Sequence, residues 1–179
     1  DADKIVLNYE NVVPEYNARN NWRSLANFHL ANRGFRFPFF QDLEDPHHNQ
    51  ILWVPILNYN LYDGLMPGLR FYNKTILNRP FTYDLNPTIS TKTQSISGSL
   101  YFMYMQNNRK SDWYQTLYSL SANRFHYAPD AEYYRVNPMI LFRKRQKDLR
   151  DNKKEQLMFR YIMINRESTD PSNLDPNEE

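Results

Sequence analysis

The chain has 179 residues, enough for one domain with a sizeable core. Its 22 Lys and Arg against 20 Asp and Glu leave a net charge of +2, which gives no electrostatic case for binding nucleic acid. With no cysteine there is no disulfide framework or thiolate metal site, and no apolar run approaches the roughly 20 residues of a membrane helix.

Fourteen Tyr and eleven Phe set beside only four Gly favour strands, because flat side chains pack well on a pleated surface. Residues 1–34 show no clean period. They hold one apolar patch, Ile5-Val6-Leu7, and an Asn/Arg-rich stretch, Asn17 to Arg23. They read as an irregular entry segment, with one strand or a short helix near Trp22 to Leu30. The opening Asp1-Ala2-Asp3 reads as a mature, processed or excised start.

From Phe35 the period becomes two. Phe35, Phe37 and Phe39 alternate with Arg36, Pro38 and Phe40. A turn follows at Glu44-Asp45-Pro46-His47-His48-Asn49, then a strand over Ile51 to Asn60. Tyr62-Asp63-Gly64 closes a tight hairpin, since Asp-Gly supplies the positive-φ positions of a short turn.

The clearest alternation lies further on. Phe81, Tyr83, Leu85, Pro87 and Ile89 oppose Thr82, Asp84, Asn86, Thr88 and Ser90. Ile96, Gly98, Leu100, Phe102 and Tyr104 oppose Ser95, Ser97 and Ser99. Tyr134, Val136, Pro138, Ile140 and Phe142 oppose Arg135, Asn137, Met139, Leu141 and Arg143. In Gln156 to Asn165, Leu157, Phe159, Tyr161 and Met163 oppose Gln156, Met158 and Arg160. Each such strand has one apolar and one polar face. Residues 168–179 read as an acidic disordered tail or loop.

The segments run about 9–11 residues, the length a tilted strand needs to cross a bilayer. The apolar set carries no charge, and the polar set suits a wet lumen better than a dry core. Trp53, Tyr59, Tyr83, Tyr104, Trp113 and Tyr134 sit near strand ends, as in the aromatic girdles of membrane barrels. The reading is an all-β, antiparallel up-and-down β-barrel of membrane type spanning 35–167, either whole or as a segment of a larger barrel. Phe81, Tyr83, Leu85, Ile89, Leu100, Phe102, Ile140, Phe142, Leu157, Phe159 and Tyr161 are expected to face lipid. Arg70, Asp84, Arg135 and Arg160 are expected to face the lumen, as a structural network rather than a pore. Pro55, Pro67, Pro87 and Pro138 point the other way, because proline removes a ladder donor. So does a mean hydropathy of −0.80. These features favour the alternative, a soluble β-barrel or β-sandwich binding module.

Few residues suggest chemistry. His47-His48 with Asp42, Glu44 and Asp45 is a weak metal candidate, because adjacent histidines on a strand point apart. His126 with Asp130 and Glu132 reads more simply as a loop that fixes a hairpin. Arg143, Lys144, Arg145, Lys147, Arg150, Lys153 and Lys154 form a basic run that is either a solvated hairpin loop or a contact for lipopolysaccharide phosphates. No catalytic, metal or cofactor motif stands out.

Asn21-Trp22-Arg23-Ser24-Leu25, Phe39-Phe40-Gln41-Asp42-Leu43-Glu44-Asp45-Pro46 and Asn49-Gln50 are followed by Tyr59-Asn60-Leu61-Tyr62-Asp63-Gly64-Leu65. Then come Gly68-Leu69-Arg70-Phe71-Tyr72-Asn73-Lys74 and Phe125-His126-Tyr127-Ala128-Pro129-Asp130-Ala131. Over roughly Asn21 to Glu167 this resembles the C-terminal barrel region of large Bacteroidota envelope proteins of the M1-family, gluzincin-type metallopeptidases. The resemblance implies a bacterial outer-membrane barrel module that anchors or scaffolds a larger envelope protein. Its partners would be outer-membrane lipid, lipopolysaccharide and other envelope proteins. That family's peptidase module carries a His-Glu-x-x-His zinc helix; no such string occurs here, so its catalytic and metal residues carry over to no position.

Overall fold

A computed structural model describes residues 4–25, 33–43, 45, 47–75, 77–146, 148, 150 and 152–170. Glu44, Pro46, Lys147, residues 26–30 of the expected strand or helix, and most of the acidic tail lie outside the described residues. Ahead of the main sheet lie β1 (Lys4–Val6), a 3-10 turn at Ala18–Asn21 and β2 (Trp22–Ser24) in the entry segment, then β3 (Gly34–Arg36) and β4 (His48–Gln50) within the stretch expected to form barrel strands. β1 pairs with β2, and β3 lies parallel to β4.

The rest is one antiparallel meander in chain order. Its strands are β5 (Leu52–Asn60), β6 (Gly64–Tyr72), β7 (Phe81–Ile89), β8 (Ile96–Asn107), β9 (Gln115–Ala128), β10 (Ala131–Arg143), β11 (Gln156–Arg160) and β12 (Met163–Arg166). The up-and-down antiparallel order matches the expectation from sequence. The sheet is open, because β5 and β11 are its outer strands and do not pair with each other.

β11 and β12 share one register on β10, with Met139 opposite Arg160 and Val136 opposite Met163. They are a single edge strand interrupted at 161–162, opposite Pro138. Tyr161 N–H donates to the Pro138 carbonyl at 3.1 Å, but Pro138 has no N–H to return. The other prolines follow the same logic. On β5, the backbone groups of Trp53 bond outward to Pro38 and Phe40, so Pro55, two residues on, turns its missing donor to the free edge. Pro67 and Pro87 both fall in the β6–β7 ladder, which has only three matched pairs. The cost of proline is thus confined to one edge and two ladders.

Two glycines allow the sheet to bend. Gly64 alone takes positive φ (+74°) in the β5–β6 hairpin; Asp63 does not, although both positions of the Asp-Gly pair were expected to. Gly98 has φ +128°, and a Cβ there would lie 2.0 Å from the Asn86 carbonyl oxygen. Backbone cannot move away as a flexible side chain can. Gly98→Ala is therefore expected to cost about 1–3 kcal/mol, read as a lower urea midpoint. An unchanged midpoint would show that β7 and β8 are not this close.

Directly paired residues share a face. One face carries Trp53, Leu57, Leu69, Phe81, Leu85, Leu100, Phe102, Leu120, Val136, Ile140 and Phe159. The other carries Arg70, Asp84, Thr88, Ser97, Ser121, Asn137 and Arg160. The burial of chain neighbours shows the direction of the curl. Thr88 is 1% exposed beside Ile89 at 61%, and Ser97 is 4% beside Ile96 at 65%. The concave face is the more polar of the two, although Leu52, Met66 and Leu117 are buried on it, and the convex face carries most of the exposed apolar side chains.

Candidate functional site

The sheet has two unlike ends. Connections 61–63, 90–95 and 129–130 are short and lie together; 73–80, 108–114 and 144–155 are longer and lie at the other end. The short-turn end is locked by hydrogen bonds around a buried carboxylate. Asp63 is fully buried, and His126 is nearly so. β8 pairs with β9 only as far as Gly98 opposite Arg124, so the His126 N–H has no strand carbonyl to meet. The Asp63 carboxylate accepts it at 2.9 Å and the His126 Nδ1 at 2.7 Å. Asn60 Nδ2 bridges to the same carboxylate at 3.0 Å and to the His126 carbonyl at 2.6 Å. Thr93 Oγ1 donates to Asp63 at 3.2 Å, and the Ser90 hydroxyl and Lys92 N–H reach the Asp63 carbonyl. One residue thus ties together three hairpin ends that lie far apart in sequence.

The other imidazole nitrogen, Nε2, lies 3.3 Å from Glu132, which Arg124 holds through two hydrogen bonds of 2.9 and 2.5 Å. His126 is therefore closed on both sides and faces no nucleophile it could activate. The sequence pointed to Asp130 as its neighbour. Instead Asp130 accepts from the Thr169 hydroxyl, and the carboxylate that meets His126 comes from the β5–β6 turn. Burial raises the tendency of Asp63 to hold its proton, but the hydrogen bonds from His126 outweigh it and leave the carboxyl below its usual range.

The two candidate histidines near β4 separate. His47 packs edge-on against Tyr9 (4.9 Å) and Trp22 (5.9 Å). His48 Nδ1 meets Asp45 at 2.8 Å, and Arg36 pairs with Asp42 and Asp45. Asp45 is held below its usual range despite partial desolvation, through the His47 N–H, His48 and Arg36. Among the described residues no group of three or more His, Cys, Asp and Glu is placed to hold a metal ion.

All four polar residues expected to face a lumen lie on the concave face, and three of them fall into two clusters. Arg70 donates to both oxygens of Asp84; Asn86 links Asp84 (3.0 Å) to Ser99 (3.2 Å). Across the sheet, Asn137 bonds Ser121 (3.2 Å) and accepts from Arg160 Nε (2.7 Å). Arg135 joins neither cluster. Ten of the eleven residues expected to face lipid lie on the convex face, and Tyr161 falls in the break between β11 and β12; Tyr118 and Leu120, which the sequence pattern does not single out, join the ten. Aromatic rings crowd the convex face near the long-loop end: Phe81 stacks on Phe102 (6.2 Å) and Tyr104 on Tyr118 (6.2 Å).

No family model, curated protein or solved structure matches the chain. Among the described residues no helix is long and apolar enough to cross a membrane.

Proposed function

We propose that this sheet is a section of the wall of a transmembrane β-barrel in a bacterial outer membrane, with its convex face toward lipid. By the sequence resemblance, it anchors or scaffolds a larger envelope protein of the M1-metallopeptidase kind. The carrying observation is the direction of the curl. In water, a curled sheet hides its apolar face; here Ile89, Ile96, Leu57 and Phe159 are 59–67% exposed on the outside while Thr88 and Ser97 are inside. Lipid reverses the preference.

Other features support the same reading. Strands of 9 to 14 residues are long enough to cross a bilayer at a tilt. Short turns at one end and longer loops at the other are the pattern of outer-membrane barrels. An open edge is untenable in hydrocarbon, so the wall needs further strands. β5 and β11 run in the same direction, because five strands separate them. All-antiparallel closure with an even strand number therefore takes an odd number of additional strands. The edge strand is ready to receive one: Leu157, Phe159 and Met163 on one face and Met158, Ile162 and Ile164 on the other are all 44–59% exposed.

Since the chain has no cysteine, single-cysteine labelling has no background. A fluorophore on L100C or F102C is expected to be quenched by a lipid-borne quencher in reconstituted vesicles. One on S99C or Y101C is expected to escape it. Equal quenching at all four positions, or a chain that stays in water without detergent, would overturn the proposal in favour of a soluble β-domain.

A further inference from the structure

We propose that the long-loop end binds a phosphorylated lipid, with an acyl chain on the convex face and its phosphate on the loops above. This inference rests on the membrane reading just given. On the convex face, Trp113, Phe142, Leu157 and Phe159 line a slot of about 520 Å³, with Gln106 and Ser111 also on its border. Trp113 meets Phe142 edge-on at 6.3 Å, and Phe142 meets Phe159 at 6.4 Å, so the walls are stiff aromatic rings.

Connection 108–114 borders this slot, and connection 144–155, which adds no residue to its lining, lies against 108–114. Together they hold eight Lys and Arg against four Asp and Glu. They are clamped to each other: Arg145 N–H donates to the Asp112 carbonyl at 2.7 Å and Arg145 Nη2 to the Arg109 carbonyl at 2.8 Å. Glu155 is already committed. It bonds Lys144 at 2.6 Å and Lys153 at 2.8 Å, and these lysines hold its carboxyl down at about 2. Arg109 and Lys110 form no ion pair among the described residues and stand exposed in the loop that carries Trp113. A solvated loop needs no apolar slot beside it, and a plain lipid contact needs no excess of cations. The two together fit an amphiphile whose head is anionic. Arg and Lys bind phosphate oxygens directly, and a basic cluster at a membrane surface draws anionic headgroups.

The test is native mass spectrometry of the full chain released from micelles, with bisphosphorylated lipid A and its dephosphorylated form as probes. Lipid A is expected to bind in preference to the dephosphorylated form. The double variant R109S/K110S is expected to weaken lipid A binding about 30-fold, from roughly fivefold per basic residue at an anionic membrane surface, and to leave the dephosphorylated probe unchanged. W113A is expected to weaken both probes alike. Equal binding of the two probes, an unchanged double variant, or displacement of lipid A by inorganic phosphate alone (a free-anion site) would each overturn the inference. Those results leave the membrane reading intact if the chain inserts in vesicles. A chain that stays folded in water without detergent overturns both.

Discussion

Replacing Asp63 by alanine is expected to remove roughly 3–5 kcal/mol of stability, because several buried donors lose one carboxylate acceptor together. The carboxylate is fully buried and meets the His126 N–H, the His126 imidazole, Asn60 and Thr93. Alanine leaves those donors without an acceptor in a place that water does not reach. Asp63→Asn keeps the shape and one good acceptor, so its loss should be smaller, roughly 1–2 kcal/mol. Urea titration of the chain folded in detergent micelles gives both numbers. The pH dependence has a definite sign. The folded carboxyl titrates below its ordinary value of 3.8, so its stabilisation is fully present above that value and fades as pH falls through the lower folded one. Asp63→Asn should flatten that acid limb relative to wild type. A loss in Asp63→Ala below about 1 kcal/mol, the size of an exposed pair, would show that the three hairpins are not held from this point.

The cluster also shows where sequence reading stops. His126 and Glu132 were visible as near neighbours, because a short β-hairpin joins them. Asp63 was visible only as half of an Asp-Gly turn signal. Nothing local links it to His126, since 63 positions separate them and the contact exists only once the β8–β9 ladder stops at Gly98 and the sheet curls. The two faces were far more legible. Phe81-Thr82-Tyr83-Asp84-Leu85-Asn86 alternates without fault, and its strand runs from Phe81 to Ile89. β9 was hidden, although it lies near the middle of the sheet. Its concave set of Ser119, Ser121 and Asn123 has weak strand preference, and Leu117 sits on the polar face, so the period blurs. The split of the last strand into β11 and β12 could not be read from residues 156–166 at all. Its cause, Pro138, lies on the neighbouring strand.

Prolines weighed against a barrel when each was taken as one lost ladder bond. Their positions change that sum. Pro55 turns its missing donor to a free edge, and Pro138 interrupts only the outermost ladder. Pro67 and Pro87 share the ladder between β6 and β7, where Gly68 lies so close that a Cβ would sit 2.2 Å from the Pro87 carbonyl. The sheet thus has one weak seam rather than four scattered defects, and β7 to β10 pair over nine or more consecutive residues.

Leu120→Arg separates the membrane and soluble readings by the size of its effect. Leu120 is 38% exposed on the convex face, near the middle of β9. On a water-facing surface such a change stays within about 0.5 kcal/mol, and arginine improves solubility. At the midplane of a bilayer the same guanidinium costs about 2–4 kcal/mol. Ser119→Arg is the control, one residue away on the concave face, opposite Met103 and Met139. In lipid vesicles Leu120→Arg is expected to lose about 2–4 kcal/mol and Ser119→Arg much less. The order reverses if the concave face is a dry core: burying an unpaired charge at 119 then becomes the costly change, and the exposed position tolerates arginine. The pair of variants therefore reads which side of the sheet faces water, independently of whether the wall is complete in this chain.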